Sequence, residues 1–279
     1  MEPLPMPLKE VDRVEVLTLM DNFVDVLLEN TAVVKRPPKA IGEEIPTDTL
    51  LAEHGLCLLV KVQQGAEKHT IMLDTGYNSM SVLHNMDILA VDPNELEAIV
   101  LSHAHMDHTG ALHAILGKIS KPIPLVVHPD AFLYPRFLEE KDGSKKRFPR
   151  TLVRNDFKQR NVKIHESKAP TSILDGAILV TGEVERTTAF EKGMPGALVE
   201  RDGSLEPDPI KDDQSLVINL KEKGLVIITG CSHAGIVNTI LYAKKLTGIE
   251  KVYAVLGGFH LSGAFFEKIL EKTIDELKA

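Results

Sequence analysis

Residues 101–110 read LSHAHMDHTG, and within them His103, His105, Asp107 and His108 form the pattern H-x-H-x-D-H. On an extended segment, residues two apart point to the same side, so His103 and His105 can grip one cation together. Asp107 and His108 fall on the turn that follows, where they can hold a second cation beside the first. Imidazole with carboxylate suits zinc, iron or manganese better than magnesium or calcium. Closed structural zinc sites usually recruit several thiolates, and this stretch has none. Four such side chains within six positions would be costly to bury without partners. The stretch therefore predicts one or two divalent transition-metal ions, zinc first, with iron and manganese as alternatives.

Apolar runs of strand length surround it, at 13–19, 56–62, 70–73 and 98–101 before and within it, then at 124–127, 161–164, 177–180, 215–220, 225–229 and 251–256. Runs this apolar are typical of strands covered on both faces. Between them, Ile236, Val237, Ile240, Leu241 and Ala243 mark one face of a helix, with Gly248 as its stop. Phe266, Ile269, Leu270, Ile274 and Leu277 repeat at helical spacing and predict an amphipathic helix that closes the fold. Shorter helices are expected at 80–89 and 111–116.

The 279 residues include 43% hydrophobic and 26% charged, which excludes a disordered or collagen-like chain. The net charge of −8 argues against a general attraction to nucleic acid or to an anionic membrane. Two cysteines, Cys57 and Cys231, cannot build a disulfide scaffold and suit a reducing compartment. The start, MEPLPMPLKEVDRVEV, carries acid and proline where a signal peptide needs an apolar core, and no window of ~18 residues is uninterruptedly apolar. A cytoplasmic chain is expected, in one domain over 1–279, with a homo-oligomer admissible. Residues 141–160, KDGSKKRFPRTLVRNDFKQR, hold eight Lys/Arg against two Asp, so this stretch carries +6 and the remainder −14. It is either a solvated insertion or a mobile cover that draws an anionic substrate toward the site.

Three further motifs extend the pattern: Leu73-Asp74-Thr75-Gly76, ITGCSHAG at 228–235, and LGGFHL at 256–261. Together with LSHAHMDHTG they resemble the metallo-β-lactamase fold superfamily. The resemblance implies a four-layer αββα sandwich with its metal cleft at one edge. It implies that Asp74 orients the metal loop, and that His260 in the last motif is a metal ligand. Asp21-Asn22, Glu53-His54-Gly55-Leu56 and Thr181-Gly182-Glu183 are similar to one subgroup, the dihydropterin–ribofuranosylaminobenzene-phosphate synthase-like proteins. Two-metal members of the superfamily carry a third His where this chain has Thr181-Gly182-Glu183. The bridging position also carries Cys231 where the family has Asp. His233, two residues on, is expected to take over as ligand, with Cys231 as a further candidate.

The leading expectation is metal-assisted hydrolysis of a small anionic molecule, a phosphate ester first, with Asp107 orienting the attacking water or accepting its proton. The resemblance implies a rival: a pterin-coupling transferase that releases diphosphate. A third reading is a sensing protein that keeps metal without turnover. Asn22, His54, Glu183 and Arg186 are candidate substrate-binding residues, against turn chemistry for the first two and ordinary ion pairs for the others. A guanidinium such as Arg186 suits phosphate or carboxylate, and Glu183 or Glu185 would be its bland partner. His69, His84, His113, His128 and His165 lack any partner pattern.

Overall fold

The computed structural model describes residues 5–158 and 160–278. In chain order the strands are β1 (Glu10–Val11), β2 (Arg13–Met20), β3 (Cys57–Gln64), β4 (Glu67–Leu73), β5 (Ala98–Val100), β6 (Ile123–Val127), β7 (Arg136–Glu139) and β8 (Lys145–Arg147). They continue as β9 (Val162–Glu166), β10 (Thr171–Ile173), β11 (Ile178–Val180), β12 (Ala197–Arg201), β13 (Ser204–Pro207), β14 (Ser215–Leu220), β15 (Gly224–Thr229) and β16 (Val252–Gly257). The helices are α1 (Ser79–Ile88), α2 (Met106–Thr109), α3 (Leu112–Leu116), α4 (Arg154–Lys158), α5 (Ile236–Thr247) and α6 (Glu267–Lys278).

Two sheets carry the fold. One runs β2-β3-β4-β5-β6-β9, antiparallel at its β2 end and parallel from β4 onward. The other runs β10-β11-β14-β15-β16, with β1 alongside β14. Side chains alternate across a strand, and the apolar runs use both faces. Leu58, Val60 and Val62 of β3 meet Leu216 and Ile218 of β14 and Val226 and Ile228 of β15 in the core between the sheets. Leu59 of β3, with Met72 and Ile99, faces outward onto Val82 and Met86 of α1 and Leu112 and Ile115 of α3. On the far side Val217, Leu225 and Ile227 pack against Ala243 and Ile240 of α5. The layer order is helix, sheet, sheet, helix, as the resemblance implies.

Every apolar run anticipated from sequence coincides with a strand. The unanticipated strands, β1, β7, β8, β10, β12 and β13, are short or carry charge, so no periodic signal marks them. Within the basic stretch, Lys145–Arg147 pairs with β7, and α4 buries Phe157, whose ring stacks on His113 at 5.4 Å. The C-terminal helix forms, but it does not close the fold. Phe265, Leu270, Ile274 and Leu277 remain 36–46% exposed, while Thr273 is the buried residue of α6. No described helix is long and apolar enough to cross a membrane.

Candidate metal centre

Asp74 closes β4 in a left-handed conformation, φ 60°, uncommon for a residue with a side chain. This turns its carboxylate onto the metal loop. Oδ1 accepts from the Ser102 amide at 2.7 Å, and Oδ2 accepts from the Ser102 hydroxyl at 2.6 Å. Oδ2 also lies 2.6 Å from His108 Nδ1. Asp74 thereby fixes the His108 ring with Nε2 directed at Cys231, whose Sγ is 3.1 Å away.

The remaining histidines converge beside it. His103 Nε2 lies 3.0 Å from His105 Nδ1, and the His233 ring centroid is 4.8 Å from both the His103 and His105 rings. Ligand atoms of His103, His105 and His233 lie within 4.8 Å of one another, and so do those of His103, His108 and Cys231. His103 is common to both sets. Burial pushes the His105 imidazole down to about 4 and holds His103 and His233 well below the usual imidazole range. Neutral imidazoles offer a lone pair, the form a cation needs. Both ring nitrogens of buried His233 lack any hydrogen-bond partner, as does Nδ1 of His260. Such orphaned nitrogens are costly unless something occupies them, and a nitrogen-and-sulfur set suits zinc or iron. The residues present fit a transition-metal ion.

Gly230 opens the loop that carries Cys231 and His233. A Cβ there would stand 2.0 Å from Ser102 Oγ, so only glycine lets this loop press onto the Asp74–Ser102 pair. His260, at φ 46°, places its ring 4.7 Å from His233 and 4.6 Å from Phe266, beside both donor sets but in neither. Asp107 Oδ2 stands 3.4 Å from His108 Nε2 and 3.4 Å from His54 Nε2. Partial burial pushes Asp107 up, but His108 and His105 outweigh it and hold the carboxyl at about 2.

A cleft of about 400 Å³ opens over this centre, lined by Asn22, His54, Asp107, His108, Cys231 and Gly258. Asn22 also holds the loop, its Oδ1 accepting from the Gly55 amide at 3.0 Å. Glu183 and Arg186 lie elsewhere, in a separate pocket of about 360 Å³ with Lys211 and Asp213. There Glu183 pairs with Lys211 at 3.1 Å, Glu185 pairs with Lys245, and the Arg186 guanidinium donates to the Pro209 carbonyl.

Sequence reading missed the residues that clamp the two loops. Asp212 Oδ2 accepts from the Ala104 amide at 2.9 Å, between the two metal-loop histidines, and both its oxygens take Arg136. Asp213 Oδ2 accepts from the Ala234 amide at 2.8 Å, beside His233. Burial pushes Asp213 up to about 7. Gln214 donates to the Leu101 carbonyl at 2.8 Å. The signal available was three consecutive polar residues directly before the apolar β14. Phe148 was also unforeseen: it stacks on His105, centroids 5.0 Å apart, and brings the basic stretch to the centre.

Comparison with known proteins finds relatives of the whole chain. Residues 52–182 match the metallo-beta-lactamase superfamily model. A 7,8-dihydropterin-6-methyl-4-(beta-D-ribofuranosyl)-aminobenzene-5'-phosphate synthase from Methanocaldococcus jannaschii is 36% identical over 230 residues, 81% of this chain and 77% of that protein. An uncharacterised protein of the same organism, MJ0448, is 31% identical across 92% of this chain and 86% of its own length. Among solved structures, Tm1679, a metal-dependent hydrolase of the beta-lactamase superfamily, superposes with a TM-score of 0.68 at 23% identity, over 95% of this chain and 84% of the other. On the strength of the 36% identity across 81% of its length and the matching family model, the chain belongs to the metallo-beta-lactamase superfamily and is related to the dihydropterin–ribofuranosylaminobenzene-phosphate synthases.

Proposed function

We propose that this chain is a metal-dependent hydrolase of a small anionic molecule, a phosphate ester first, working in the cleft lined by Asn22, His54 and Asp107. The observation that carries the proposal is His233: it is buried, lacks a partner at either ring nitrogen, and converges with neutral His103 and His105 beside that cleft. His103, His105 and His233 would hold one ion, and His108 with Cys231 would hold or share a second, zinc first. A divalent ion bound there supplies Lewis acidity and lowers the pKa of coordinated water toward neutrality.

The protein's own groups do the rest. Asp74 keeps the His108 ring turned toward the cleft. Asp107, held ionised, can orient an attacking water through Oδ2, and His54 Nε2 stands 3.4 Å from the same oxygen. The basic strand β8 beside Phe148 supplies positive potential near the cluster, which favours an anionic substrate.

The relationship to the synthase favours a second reading, in which a pterin diphosphate is coupled to an arylamine-type acceptor with release of diphosphate. One assay separates the two. Zinc-, iron- and manganese-loaded protein is offered phosphomonoesters, phosphodiesters and lactones, and separately a pterin diphosphate with and without the acceptor. Ester turnover that disappears in His103→Ala/His105→Ala supports hydrolysis. Diphosphate release that depends on the acceptor supports the synthase reading, and loaded protein inert to every substrate would leave metal retention without turnover.

A further inference from the structure

A metal-ligating imidazole is aimed by what its second nitrogen meets, and that outer partner matters nearly as much as the ligand itself. His103 has such a partner. The Ser102 hydroxyl donates its hydrogen to Asp74, so Ser102 Oγ accepts from His103 Nδ1 at 2.9 Å, and His103 Nε2 is left to face the cluster. His108 has Asp74 in the same role, 2.6 Å from its Nδ1. His105 differs. Its Nδ1 faces His103 Nε2 at 3.0 Å, and among the described residues no hydrogen bond reaches its Nε2.

A flat neighbour stands where the hydrogen bond is missing. His103 and His233 meet the His105 ring edge-on, at interplanar angles of 75° and 82°. Among the described aromatic side chains only Phe148 lies flat against it, at 19° with centroids 5.0 Å apart. Phe148 is half-buried, although its neighbours Lys145, Lys146, Arg147, Pro149 and Arg150 are exposed. The proline that follows steers the Phe148 backbone away from helix, and the Phe148 amide donates to the Arg136 carbonyl at 3.0 Å. The Arg136 guanidinium grips Asp212, which accepts from the Ala104 amide. Arg136 therefore holds the backbone beside His105 through Asp212, and the ring over His105 through its own carbonyl.

We propose that Phe148 is the positioning residue of His105: its ring, held by Arg136, fixes the plane of the imidazole so that Nδ1 stays turned toward the site shared with His103 and His233. The inference rests on the reading of those histidines as ligands of one ion. Aromatic pairs prefer defined geometries and contribute beyond the area they bury. The circuit from Phe148 through Arg136, Asp212 and Ala104 to His105 holds the contact before any ion arrives, so little freedom is lost on binding. The hairpin of β7 and β8 is thus a structural part of the metal centre as well as a source of charge beside it.

The test has two readouts: zinc affinity, by competition with a fluorescent chelator, and the visible absorption of the cobalt(II)-loaded chain, whose bands follow ligand geometry. Wild type is compared with Phe148→Ala, Phe148→Leu, Phe148→Tyr and His105→Ala, with circular-dichroism melts of each. Phe148→Ala and Phe148→Leu should keep the fold, bind zinc about two- to tenfold more weakly, and show altered cobalt bands. Phe148→Tyr keeps a flat ring and should match wild type in both readouts. An alanine variant with unchanged affinity and bands, a leucine variant that matches wild type, or a tyrosine variant as weak as the alanine one would each overturn the inference. If His105→Ala loses zinc in that same series, the ligand reading survives the failure. Full zinc affinity in His105→Ala would overturn the ligand reading, and this inference with it.

Discussion

His233 is the residue on which the metal centre turns. Its partnerless ring nitrogens mean that replacing it removes a ligand without breaking any hydrogen bond that supports the fold. His233→Ala should lose most of its bound metal, and His233→Cys should recover part of it for zinc, since thiolate is a good zinc ligand. Elemental analysis after dialysis against a weak chelator reads this directly; full metal content in the alanine variant would exclude His233 as a ligand. Asp74 acts at one remove. Asp74→Asn keeps the shape but removes the charge that fixes the His108 ring, and groups in this relation typically cost 10–100-fold in metal affinity. Competition with a fluorescent chelator measures the loss. At this scale the sequence was informative where chemistry repeats at fixed spacing. H-x-H-x-D-H and the i, i+2 step from Cys231 to His233 both showed there. It was silent on Asp212 and Asp213, because a buried carboxylate is identified by the amide it accepts from, and that amide lies about a hundred residues away in Ala104 or about twenty away in Ala234.

At the scale of elements, the apolar strands were legible because each needs apolar residues on both faces, and Leu58 and Leu59 pointing into different cores shows why. The hairpin of β7 and β8 was not, since its stability comes from the pairing of Arg136–Glu139 with neighbours and from no apolar period. Arg136 anchors that hairpin to the metal loop. Its guanidinium takes both oxygens of Asp212 and reaches Asp208 at 3.0 Å, all three side chains being buried. Removing one member of a buried pair strands the other, at about 3–5 kcal/mol. Asp212→Ala should therefore lower the stability measured by denaturant titration by that order. It should also weaken metal binding, because the Ala104 amide loses its acceptor. The pH dependence has a definite sign. Burial pushes Asp212 up, but Arg136 outweighs it and leaves the carboxyl below its ordinary value. A folded pKa lower than the unfolded one, about 3.9, contributes stability above that pH and loses it as the pH falls further. Acid titration of the wild type should show this loss below about pH 4, and Asp212→Ala should lack it.

Across the whole molecule, charge is distributed unevenly: residues 141–160 carry +6 in a chain whose remainder carries −14. Sequence alone could not place that stretch, because whether a run of cations is a solvated face depends on what stands behind it. Phe148, stacked on His105, puts the run next to the histidine cluster, while Lys145, Lys146 and Arg147 of β8 are exposed. Part of the charge is already engaged, Lys145 with Glu139 and Arg154 with Glu166. What acts at a distance is therefore the local potential, an island of positive sign in an acidic surface that an approaching anion meets before it meets the cleft. Replacing Lys145, Lys146 and Arg147 with Gln should raise KM for an anionic substrate at low ionic strength and leave kcat near its wild-type value, since none of the three lines the cleft. The gap between variant and wild type should narrow as salt shortens the screening length to about 8 Å at physiological strength. Steady-state kinetics at several salt concentrations, run in parallel on a neutral substrate of similar size, separates steering from contact. A KM that rises equally for the neutral substrate, or that ignores salt, would mean that β8 acts by shape and not by charge.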